Sequence, residues 1–583
     1  MKILGISGAV GHDASAAILV DGKLVAACEE ERLIRDKHAK NKMPINAAKW
    51  CLEYANLKPE DIDLIAFPYA EIGLNRKDRW HYAKRYWYAP DRALDAIFNG
   101  NRRFRKNMFK LRGMLSDLGF DLNDINKNNK IIPVEHHLAH ASSTYHLSNL
   151  PKDKKIPILG VDGKGEYATT FFGYGENGKI HKIKEFYDPD SIGGVYGAIT
   201  QYLGFEMLDG EFKVMGMAPY GDPDKFDLSE LIQYKDGEIK VNTKLVNTIG
   251  LRRYKDNNQG YYFSKKLIKK LGPRREGDSI DYPYIHYAAA MQKLLENITC
   301  ELVQYYLGDM IKETRSLCFA GGVALNVKLN KVLMEKFDLK ELFVQPASGD
   351  SGTAIGAATY VAEELKDNVA PMEHVYLGPE YSQDEVLKDC ETYSKENNKK
   401  SNFEIIEDAT ITGAELLAKG NPVAWFQGRM EFGPRALGNR SILGDPSHKG
   451  VADRINAQIK YRERWRPFCP SMIDSVAHDI LQTEHPAPYM TFAFTVADSW
   501  KDRIPEVVHE DGTARAQVVS EKTNPKYHKL LKNLEKLKGH PVVLNTSLNR
   551  RGEPMVCSPY DALNMFYNSD LEYLIMENIL VTK

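Results

Sequence analysis

Short apolar runs separated by polar, glycine-containing turns open the chain. Residues 3–7 and 14–20 are apolar and of strand length, and residues 23–28 follow the dipeptide Asp21-Gly22. An Asp-Gly pair favours the two-residue turn whose twist matches that of paired strands. The pattern therefore predicts that the chain begins with buried strands joined by a hairpin.

A similar pattern recurs in the middle of the chain. Residues 158–161 form an apolar run that ends in a glycine-containing loop at 162–165, and residues 168–174 and 180–186 are joined by a Glu-Asn-Gly turn. Two copies of strand, polar loop, strand, turn and strand indicate a duplicated domain whose halves face a ligand cleft. Hairpins that are alike only by chance are the alternative.

The rest of the chain shows a long helix and a domain boundary. Residues 281–315 have the pattern of a helix, and residues 317–320 form a buried strand that leads into Gly321-Gly322. Acids, Asn and Pro accumulate at 362–382, after which the chain becomes rich in Arg, Gly and Pro. Because 583 residues are too many for one core, we predict two α/β domains, 1–365 and 375–583.

Residues 74–113 differ in composition from their surroundings. They hold twelve Lys or Arg against three acids, interleaved with aromatic residues at helical spacing. A nucleic-acid patch and a basic lid over an anionic ligand are two interpretations. Because the net charge of the whole chain is −1, we favour a third, an amphipathic helical insertion with a solvated basic face.

Charge and cysteine usage restrict the class of protein. Lys plus Arg is 78 and Asp plus Glu is 79, so no overall field attracts nucleic acid or a membrane, and neither is expected as a partner. The seven cysteines form no CxxC pair, which favours reduced thiols. The first residues lack the features of a signal peptide, and no apolar run approaches the roughly 20 residues that span a bilayer. We therefore expect a cytoplasmic protein.

Three histidines at 136, 137 and 140 are the first candidate site. His136 and His140 are four residues apart and would share one face of a helix, as in other metal sites with this spacing. His137 would point elsewhere. A histidine cluster on the surface is the alternative.

Two aspartates at strand ends are candidates to complete a metal site. Asp162 ends a strand and is followed by glycines, which let backbone N–H groups approach an anion. Asp350 precedes a helix of small residues and is the natural additional oxygen ligand. Two imidazoles and two carboxylates suit Fe²⁺, Mn²⁺ or Zn²⁺, and softness alone does not choose among them.

Glycines suggest where an anionic ligand would bind near that metal. The strand that enters Gly321-Gly322 is followed by a predicted helix, and the N-terminus of a helix favours anions. The segment lacks the Lys-Ser/Thr pair of a P-loop.

The second predicted domain has its own polar cluster. The guanidinium group of arginine binds two phosphate or carboxylate oxygens at once. Arginines that alternate with Gly, Asn and Ser therefore indicate a site for a small, enclosed anionic ligand. The cluster comprises residues 428–441, 456–468, 509–517 and 544–549.

These motifs together resemble one family. The sequence is similar to the O-carbamoyltransferases of the nodulation-protein, cephalosporin and tobramycin type, nearly from end to end. The residues that carry the resemblance are Gly11-His-Asp-Ala-Ser-Ala16, Glu29-Glu-Glu-Arg32, His136-His-Leu-Ala-His140-Ala, Lys213-Val-Met-Gly-Met-Ala-Pro-Tyr-Gly221, Gly321-Gly-Val-Ala-Leu-Asn326, Gly428-Arg-Met-Glu-Phe-Gly-Pro-Arg-Ala-Leu-Gly438, Arg466-Pro-Phe-Cys-Pro-Ser471 and Leu544-Asn-Thr-Ser-Leu-Asn549. Residues 74–113 match no shared motif.

The resemblance implies both a fold and a reaction. Residues 1–365 would form a duplicated, actin-like (ribonuclease H-like) domain with the metal and nucleotide site, as in threonylcarbamoyl transferases, and 375–583 a smaller α/β domain that makes carbamoyl-adenylate. ATP with Mg²⁺ and carbamoyl phosphate would give carbamoyl-AMP, whose carbamoyl group passes to a hydroxyl of a small natural product, as in antibiotic or secondary-metabolite biosynthesis. Fe²⁺ is the favoured metal, and a homodimer is one possible assembly.

The resemblance and the chemistry together assign roles to residues of this sequence. The predicted metal ligands are His136, His140, Asp162 and Asp350. The predicted nucleotide-binding residues are Asp162, Gly163, Gly193, Gly194, Gly321, Gly322 and Asn326. The predicted carbamoyl-phosphate ligands are Arg429, Arg435, Lys460, Arg515, Asn545 and Ser547. Asp13 is the predicted base with His12 as the alternative, and the predicted acceptor-binding residues are Asp13, Lys37 and His38.

Other functions are alternatives to this interpretation. A threonylcarbamoyl transferase acting on tRNA, or a hydrogenase-maturation carbamoyltransferase, keeps the fold and changes the acceptor, but the latter would carry Cys-rich zinc segments that are missing here. An actin-like, nucleotide-dependent binding module gives the Arg-dense second domain no role.

Overall fold

The chain forms two compact units in the computed structural model, which describes residues 1–9, 11–246, 261–277, 280–397, 402–463 and 465–583. The first unit comprises Met1–Val25 and Asn41–Met372, and the second comprises Ala26–Lys40 and Glu373–Lys583. A short stretch close to the N-terminus therefore groups with the C-terminal half. The two units therefore do not correspond to two uninterrupted segments of the sequence.

The first sheet begins with the predicted hairpin. Its order is β3-β2-β1-β4-β5, with β1 antiparallel to β2 and parallel to β4, and β4 parallel to β5. The strands are β1 (Lys2–Ser7), β2 (Ser15–Val20), β3 (Lys23–Glu29), β4 (Leu64–Phe67) and β5 (Ile131–Pro133).

A second sheet repeats this topology. Its order is β12-β11-β6-β7-β8, with β6 antiparallel to β7 and parallel to β11, and β11 parallel to β12. Its strands are β6 (Ile156–Val161), β7 (Ala168–Glu176), β8 (Lys179–Tyr187), β11 (Ser316–Ala320) and β12 (Glu341–Val344), and β9 (Ile232–Lys235) and β10 (Glu238–Val241) form a separate ribbon. The repeated order and direction confirm the duplicated α/β domain.

Helices connect and cover these sheets. The helices as far as Lys336 are α1 (Glu30–Ile34), α2 (Ile45–Tyr54), α3 (Lys77–Arg85), α4 (Pro90–Asn99), α5 (Arg102–Asp117), α6 (Leu122–Lys127), α7 (His136–Tyr145), α8 (Ile192–Tyr202), α9 (Glu211–Met217), α10 (Lys265–Leu271), α11 (Tyr284–Thr314) and α12 (Val327–Lys336). The later ones are α13 (Gly352–Glu364), α14 (Gln383–Glu396), α15 (Ala409–Ala418), α16 (Val451–Ile455), α17 (Asp474–Leu481), α18 (Asp498–Lys501), α19 (Pro525–Lys538) and α20 (Pro559–Tyr567). Helix α11 confirms the long helix predicted at 281–315.

None of the helices in the described ranges is long and apolar enough to cross a membrane.

Small residues let α13 lie close to its neighbours in the first unit. A Cβ added at Gly356 would lie 1.8 Å from the carbonyl oxygen of Ala139 on α7, and one added at Gly5 on β1 would lie 2.1 Å from that of Ala354 on α13. The glycines are needed because backbone meets backbone here. The small residues of this helix therefore serve helix packing against α7 and β1.

Residues 74–113 fold into helices α3, α4 and α5, as the spacing predicted. Asp190 anchors α3, since its carboxylate lies 2.8 Å from Nε2 of His81 and accepts hydrogen bonds from Arg85 at 2.9 and 3.1 Å. The outward side chains include Phe98 and Phe109, which are 75% and 81% exposed. The insertion is amphipathic, with a basic and aromatic solvent face.

The second unit is built on one mixed sheet of order β13-β22-β21-β14-β15-β20-β16-β19. Helices α15 and α19 pack on it, with Trp425 and Tyr527 in the shared core. The strands of this unit are β13 (Asn402–Ile405), β14 (Val423–Phe426), β15 (Arg440–Gly444), β16 (Cys469–Ile473), β17 (Phe494–Thr495), β18 (Thr513–Ala514), β19 (Gln517–Val519), β20 (Val542–Ser547), β21 (Tyr573–Met576) and β22 (Ile579–Thr582).

Candidate functional site

Helix α7 presents two histidines to one point in the first unit. His136 and His140 are fully buried, and their Nε2 atoms lie 3.1 Å apart. The four-residue spacing produces this convergence, as predicted, because positions i and i+4 share a helix face. His137 is also buried but lies on another face, where it packs against Gly160.

Two aspartates on other elements complete this group of candidate ligands. Asp162 follows β6, and its Oδ2 lies 3.5 Å from Nε2 of His136 and 3.9 Å from Nε2 of His140. Asp350 precedes α13, and its Oδ1 lies 3.6 Å from Nε2 of His136. One donor atom of each of the four residues lies within 4.8 Å of the others.

The spacing of these donors fits a divalent cation. Metal ions of this class lie about 2.1 Å from nitrogen and oxygen donors, which puts neighbouring donors roughly 3.0–3.4 Å apart. The observed separations of 3.1, 3.5, 3.6 and 3.9 Å are close to that range. Two imidazole Nε2 atoms facing each other at this distance cannot both carry a proton, whereas both can donate lone pairs to one cation. The group is therefore a candidate metal site.

Charge and burial act on the protonation of the candidate ligands. Burial, together with the neighbouring His136, lowers the pKa of His140 to about 4, which keeps this imidazole neutral. Burial opposes the charged form of His136, but Tyr69 and the carboxylates of Asp350 and Asp162 hold its pKa well above the usual value. Burial also disfavours ionised Asp162, yet the two histidines hold its pKa well below normal. Burial acts in the same way on Asp350, and His12 and His136 lower its pKa. The carboxylates are thus ionised and can serve as ligands.

The loop before β2 brings the predicted base residues to this site. Nδ1 of His12 lies 2.7 Å from Oδ2 of Asp13. Asp13 has a φ of 55°, in the left-handed region. Burial opposes protonation of His12, but Asp350, Asp13 and Asp162 raise its pKa to about 9. Their charges act on His12 because the loop lies close to the metal-site carboxylates.

Two residues next to this site carried no sequence signal. Tyr69 stacks on His136 with ring centroids 5.1 Å apart, and the Arg103 guanidinium lies 5.2 Å from the Tyr69 ring. Arg103 belongs to α5, so the insertion reaches the metal site with its inner face. A lone Tyr after β4 and one Arg among twelve basic residues gave no pattern that could have found them.

The predicted nucleotide glycines converge on Asp162. A Cβ added at Gly193 would lie 2.7 Å from the carbonyl oxygen of Asp162, and the Gly322 N–H donates to Asp162 Oδ1 at 3.1 Å. A Cβ on Gly321 would lie 2.3 Å from the carbonyl oxygen of Val161. These glycines are thus required by close backbone packing that also orients the aspartate.

Two further glycines lie at the start of α8. The Gly194 N–H donates to the Ser191 hydroxyl at 2.9 Å, which caps the helix. The same hydroxyl donates to the Gly163 carbonyl at 2.8 Å, so the predicted nucleotide loop at 162–165 is tied to this helix N-terminus. Such an end favours an anion.

Asn326 lies at the N-cap of the helix that was predicted to follow Gly321-Gly322. A short 3₁₀ turn comes first, and α12 begins at Val327. The Asn326 Oδ1 caps this helix by accepting from the Leu329 N–H at 3.0 Å, and its Nδ2 donates to Gln292 at 2.9 Å. The described hydrogen bonds of its side chain are thus made within the protein.

Cationic side chains gather in the second unit, where the buried Glu463 lies 3.7 Å from Arg466. Burial first, and then Arg462, Arg466 and Lys37, hold the pKa of Lys460 well below its usual value. Burial and then Arg515 act in the same direction on Arg435. Mutual repulsion of this kind indicates that these side chains form one group of neighbouring positive charges, the cationic group. Arg464, from the same basic stretch of the sequence, lies outside the described residues.

Lys460 and Ser547, two of the predicted carbamoyl-phosphate ligands, lie together. Lys460 Nζ donates to the Ser547 carbonyl at 2.5 Å and to the Asn549 Oδ1 at 2.8 Å. The Ser547 hydroxyl in turn donates to Asn549 at 2.6 Å. Arg515 is part of the cationic group and donates to Cys469 Sγ at 3.1 Å.

Two other predicted ligands, Arg429 and Asn545, hydrogen-bond within the second unit. Arg429 donates to the carbonyls of Leu377 at 2.6 Å and Gly378 at 3.4 Å. Asn545 is buried on β20, where its Nδ2 donates to the Ser471 hydroxyl at 2.9 Å and to the Ala436 carbonyl at 3.2 Å. None of these described contacts joins Arg429 to the cationic group.

The loop that carries Arg435 is stabilised by the carboxylate of Glu431, which no sequence pattern indicated. Glu431 is buried, and its Oε1 accepts from the backbone N–H groups of Leu437, Asn439 and Arg440 at 2.7, 2.8 and 3.2 Å. Backbone donors around one carboxylate form a nest that fixes the loop conformation. A Glu inside a glycine-rich motif has no periodicity that would reveal this role.

The predicted acceptor residues fall in different units. Asp13 belongs to the first unit, whereas Lys37 and His38 belong to the second. Lys37 contributes positive charge at Lys460, and the His38 N–H donates to Glu31 Oε2 at 2.6 Å.

With this geometry established, comparison with known proteins defines the class. Residues 2–359 match the family domain described as Carbamoyltransferase N-terminus, and residues 414–583 match Carbamoyltransferase C-terminus. The chain belongs to the carbamoyltransferase family, which confirms the resemblance found in the sequence. The protein is an enzyme of the carbamoyltransferase class.

Individual relatives cover most of the chain. Nodulation protein NolNO of Sinorhizobium fredii is 35% identical over 98% of this chain and 79% of its own length. Nodulation protein NolO of Bradyrhizobium diazoefficiens is 35% identical over 77% of this chain and 79% of its own. An uncharacterised protein of Synechocystis sp. is 35% identical over 100% of this chain and 96% of its own.

Likeness to solved structures is weaker. Component A of the (R)-2-hydroxyglutaryl-CoA dehydratase from Acidaminococcus fermentans is 13% identical, with a TM-score of 0.33 over 62% of this chain and 99% of that chain. Nothing about function follows from a likeness at this level.

Proposed function

We propose that this carbamoyltransferase moves a carbamoyl group from carbamoyl phosphate, by way of carbamoyl-AMP, to a hydroxyl of a small natural product. The observation that carries the proposal is a pair of unlike sites. One is a cationic pocket in the second unit, and the other is a group of two imidazoles and two carboxylates in the first. Each suits one half of such a reaction.

The cationic pocket of the second unit suits the activation of the donor. Carbamoyl phosphate is a small dianion, and Arg435, Arg515 and Lys460 would hold its phosphate oxygens. Water cleaves carbamoyl phosphate to carbamate and phosphate. The carbamate oxygen then attacks the α-phosphorus of ATP, and pyrophosphate leaves with Mg²⁺. The buried cations stabilise the negative charge on these groups.

The first unit suits transfer from carbamoyl-AMP. The acceptor oxygen attacks the carbamoyl carbon, the C–O bond to the phosphate breaks, and AMP leaves with the bonding electrons. An alcohol is a weak nucleophile at neutral pH, so its proton must be removed as the bond forms. We assign this role to Asp13, with His12 at 2.7 Å as the group that orients it.

His136, His140, Asp162 and Asp350 would hold a divalent cation, with Fe²⁺ favoured and Mn²⁺ or Zn²⁺ as alternatives. When bound, the cation supplies Lewis acidity toward the carbamoyl carbonyl or the AMP phosphate. Gly163, Gly193, Gly194 and Gly322 would receive the nucleotide, because their backbone lies beside Asp162 and at the start of α8.

Separate variants of the two units test this division. In full-length enzyme, His140→Ala is expected to abolish carbamoylation of the acceptor and leave carbamoyl-phosphate-dependent pyrophosphate release largely intact. Arg435→Gln is expected to abolish both, since no carbamoyl-AMP forms. Transfer is read by mass spectrometry on a library of hydroxylated natural products, as the mass gain of one carbamoyl group.

A control and two outcomes make the test decisive. Arg454→Gln, at an exposed ion pair with Glu572, should behave as wild type in both assays. Loss of both activities to the same extent in His140→Ala would contradict the division of labour. Carbamoylated tRNA as the sole product would replace the small acceptor by a nucleic acid.

A further inference from the structure

Four consecutive charged residues near the N-terminus are buried in the second unit. Glu29, Glu30, Glu31 and Arg32 are 5%, 1%, 8% and 6% exposed. Three of them, Glu29, Glu31 and Arg32, pair with one another or with backbone. Charged side chains are rarely buried to this extent unless each is paired. The reaction proposed above gives none of the three a role.

One pairing fixes the loop that carries Arg435. Arg32 Nη2 donates to the Gly433 carbonyl at 3.0 Å, and the Gly433 N–H donates to Glu29 Oε1 at 2.8 Å. Both backbone groups of this glycine are thus held from the same short stretch of chain. Gly433 has a φ of 121°, a conformation that favours glycine, and Arg435 follows two residues later.

A second pairing fixes the turn that carries Lys37. Arg32 Nη1 lies 2.9 Å from Glu31 Oε1, and Glu31 Oε2 accepts from the His38 N–H at 2.6 Å. His38 has a φ of 64°, so this turn has to be stabilised by its surroundings. One guanidinium therefore connects two backbone segments, each next to a cation of the pocket.

We infer that Glu29, Glu31 and Arg32 are positioning residues for the anion pocket of the second unit. The inference rests on the proposed function only in taking this pocket as the phosphate site. A planar guanidinium donates in two fixed directions at once, toward Gly433 and toward Glu31. The ammonium group of lysine keeps the charge and lacks that geometry.

Inorganic phosphate is a probe for the pocket that does not require turnover. The melting temperature of the full-length protein is measured against phosphate concentration, with chloride at matched ionic strength as the reference. Phosphate should raise the melting temperature of the wild type because it binds the folded state. In Arg32→Lys, the phosphate concentration needed for a given rise in melting temperature should be about tenfold higher or more, which corresponds to roughly 1.4 kcal/mol.

Two further variants separate positioning from folding. Arg35 lies in the same stretch and donates to the carbonyls of Met555 at 2.6 Å and Pro554 at 2.8 Å. Arg35→Lys should lower the melting temperature and keep the wild-type phosphate response. Glu29→Gln retains an oxygen that accepts the Gly433 N–H, so it should keep most of the affinity that Glu29→Ala loses.

The outcomes distinguish the two proposals. The inference is overturned if phosphate stabilises the wild type no more than chloride, if Arg32→Lys keeps the wild-type dependence of melting temperature on phosphate, or if Arg35→Lys weakens phosphate binding equally. If the phosphate results are as expected but the wild type releases no pyrophosphate with carbamoyl phosphate and ATP, the proposed reaction fails and the positioning role stands.

Discussion

Gly356→Ala should damage the candidate metal site through helix packing alone. The added Cβ would lie 1.8 Å from the Ala139 carbonyl oxygen, where an ordinary contact needs at least 3.4 Å. Helices α13 and α7 would therefore have to separate by about 1.5 Å at this point, because backbone atoms cannot rotate away as a flexible side chain can. Ala139 lies immediately before His140, and Asp350 lies just before α13.

The expected loss follows from the tolerance of a metal site. Metal–ligand distances are held to within about 0.2 Å, so a shift of even a third of the required separation would misplace the histidines relative to Asp350. We expect Mn²⁺ affinity to fall at least tenfold, which is about 1.4 kcal/mol. Overpacking should also lower the free energy of unfolding by about 1–3 kcal/mol.

Mn²⁺ titration calorimetry and urea unfolding of the full-length protein measure both effects. Gly113→Ala is a matched control, because a Cβ there would meet nothing within 4 Å on the exposed face of α5. It should leave Mn²⁺ binding unchanged and stabilise the protein by about 0.5–1 kcal/mol. Wild-type Mn²⁺ affinity and stability in Gly356→Ala would refute the packing argument.

Three other predictions concern stability and metal content. Arg440→Lys should lower the free energy of unfolding, measured by urea titration, by about 3 kcal/mol. The fully buried guanidinium donates to several backbone carbonyls, and lysine has fewer donors to replace it. Unchanged stability would contradict this prediction. His146 is buried between the Ser142 hydroxyl and the Gly178 carbonyl, and burial lowers its pKa to about 3. Its contribution to stability is thus present above pH 6.5 and is lost as the pH falls toward 3. His146→Gln should therefore reduce the slope of unfolding free energy against pH, between pH 6 and pH 4, by up to about 1.4 kcal/mol per pH unit. An identical slope in the variant would exclude this role. Chelation should lower the melting temperature and added Mn²⁺ should restore it, because four ligands held within 4.8 Å bind the ion only in the folded state. A melting temperature that responds to neither treatment would count against the metal site.

The sequence by itself determined the features that depend on local periodicity. The spacing of His136 and His140 predicted their shared helix face, and alternating strands and turns predicted the two similar halves of the first unit. Helical spacing also predicted α3, α4 and α5. Such patterns are reliable because side-chain direction repeats with a fixed period along a helix or strand.

Only the tertiary structure decided which distant residues meet and which polar groups remain available for a ligand. It brings Asp350 to His136, and it groups the stretch Ala26–Lys40 with the C-terminal half of the chain. It also shows that two ligands predicted by residue type have partners within the protein, since Arg429 donates to the Leu377 carbonyl and Asn545 donates to the Ala436 carbonyl and the Ser471 hydroxyl. The physical reason is that buried backbone groups must find partners. Which side chain serves them depends on packing between segments far apart in the sequence.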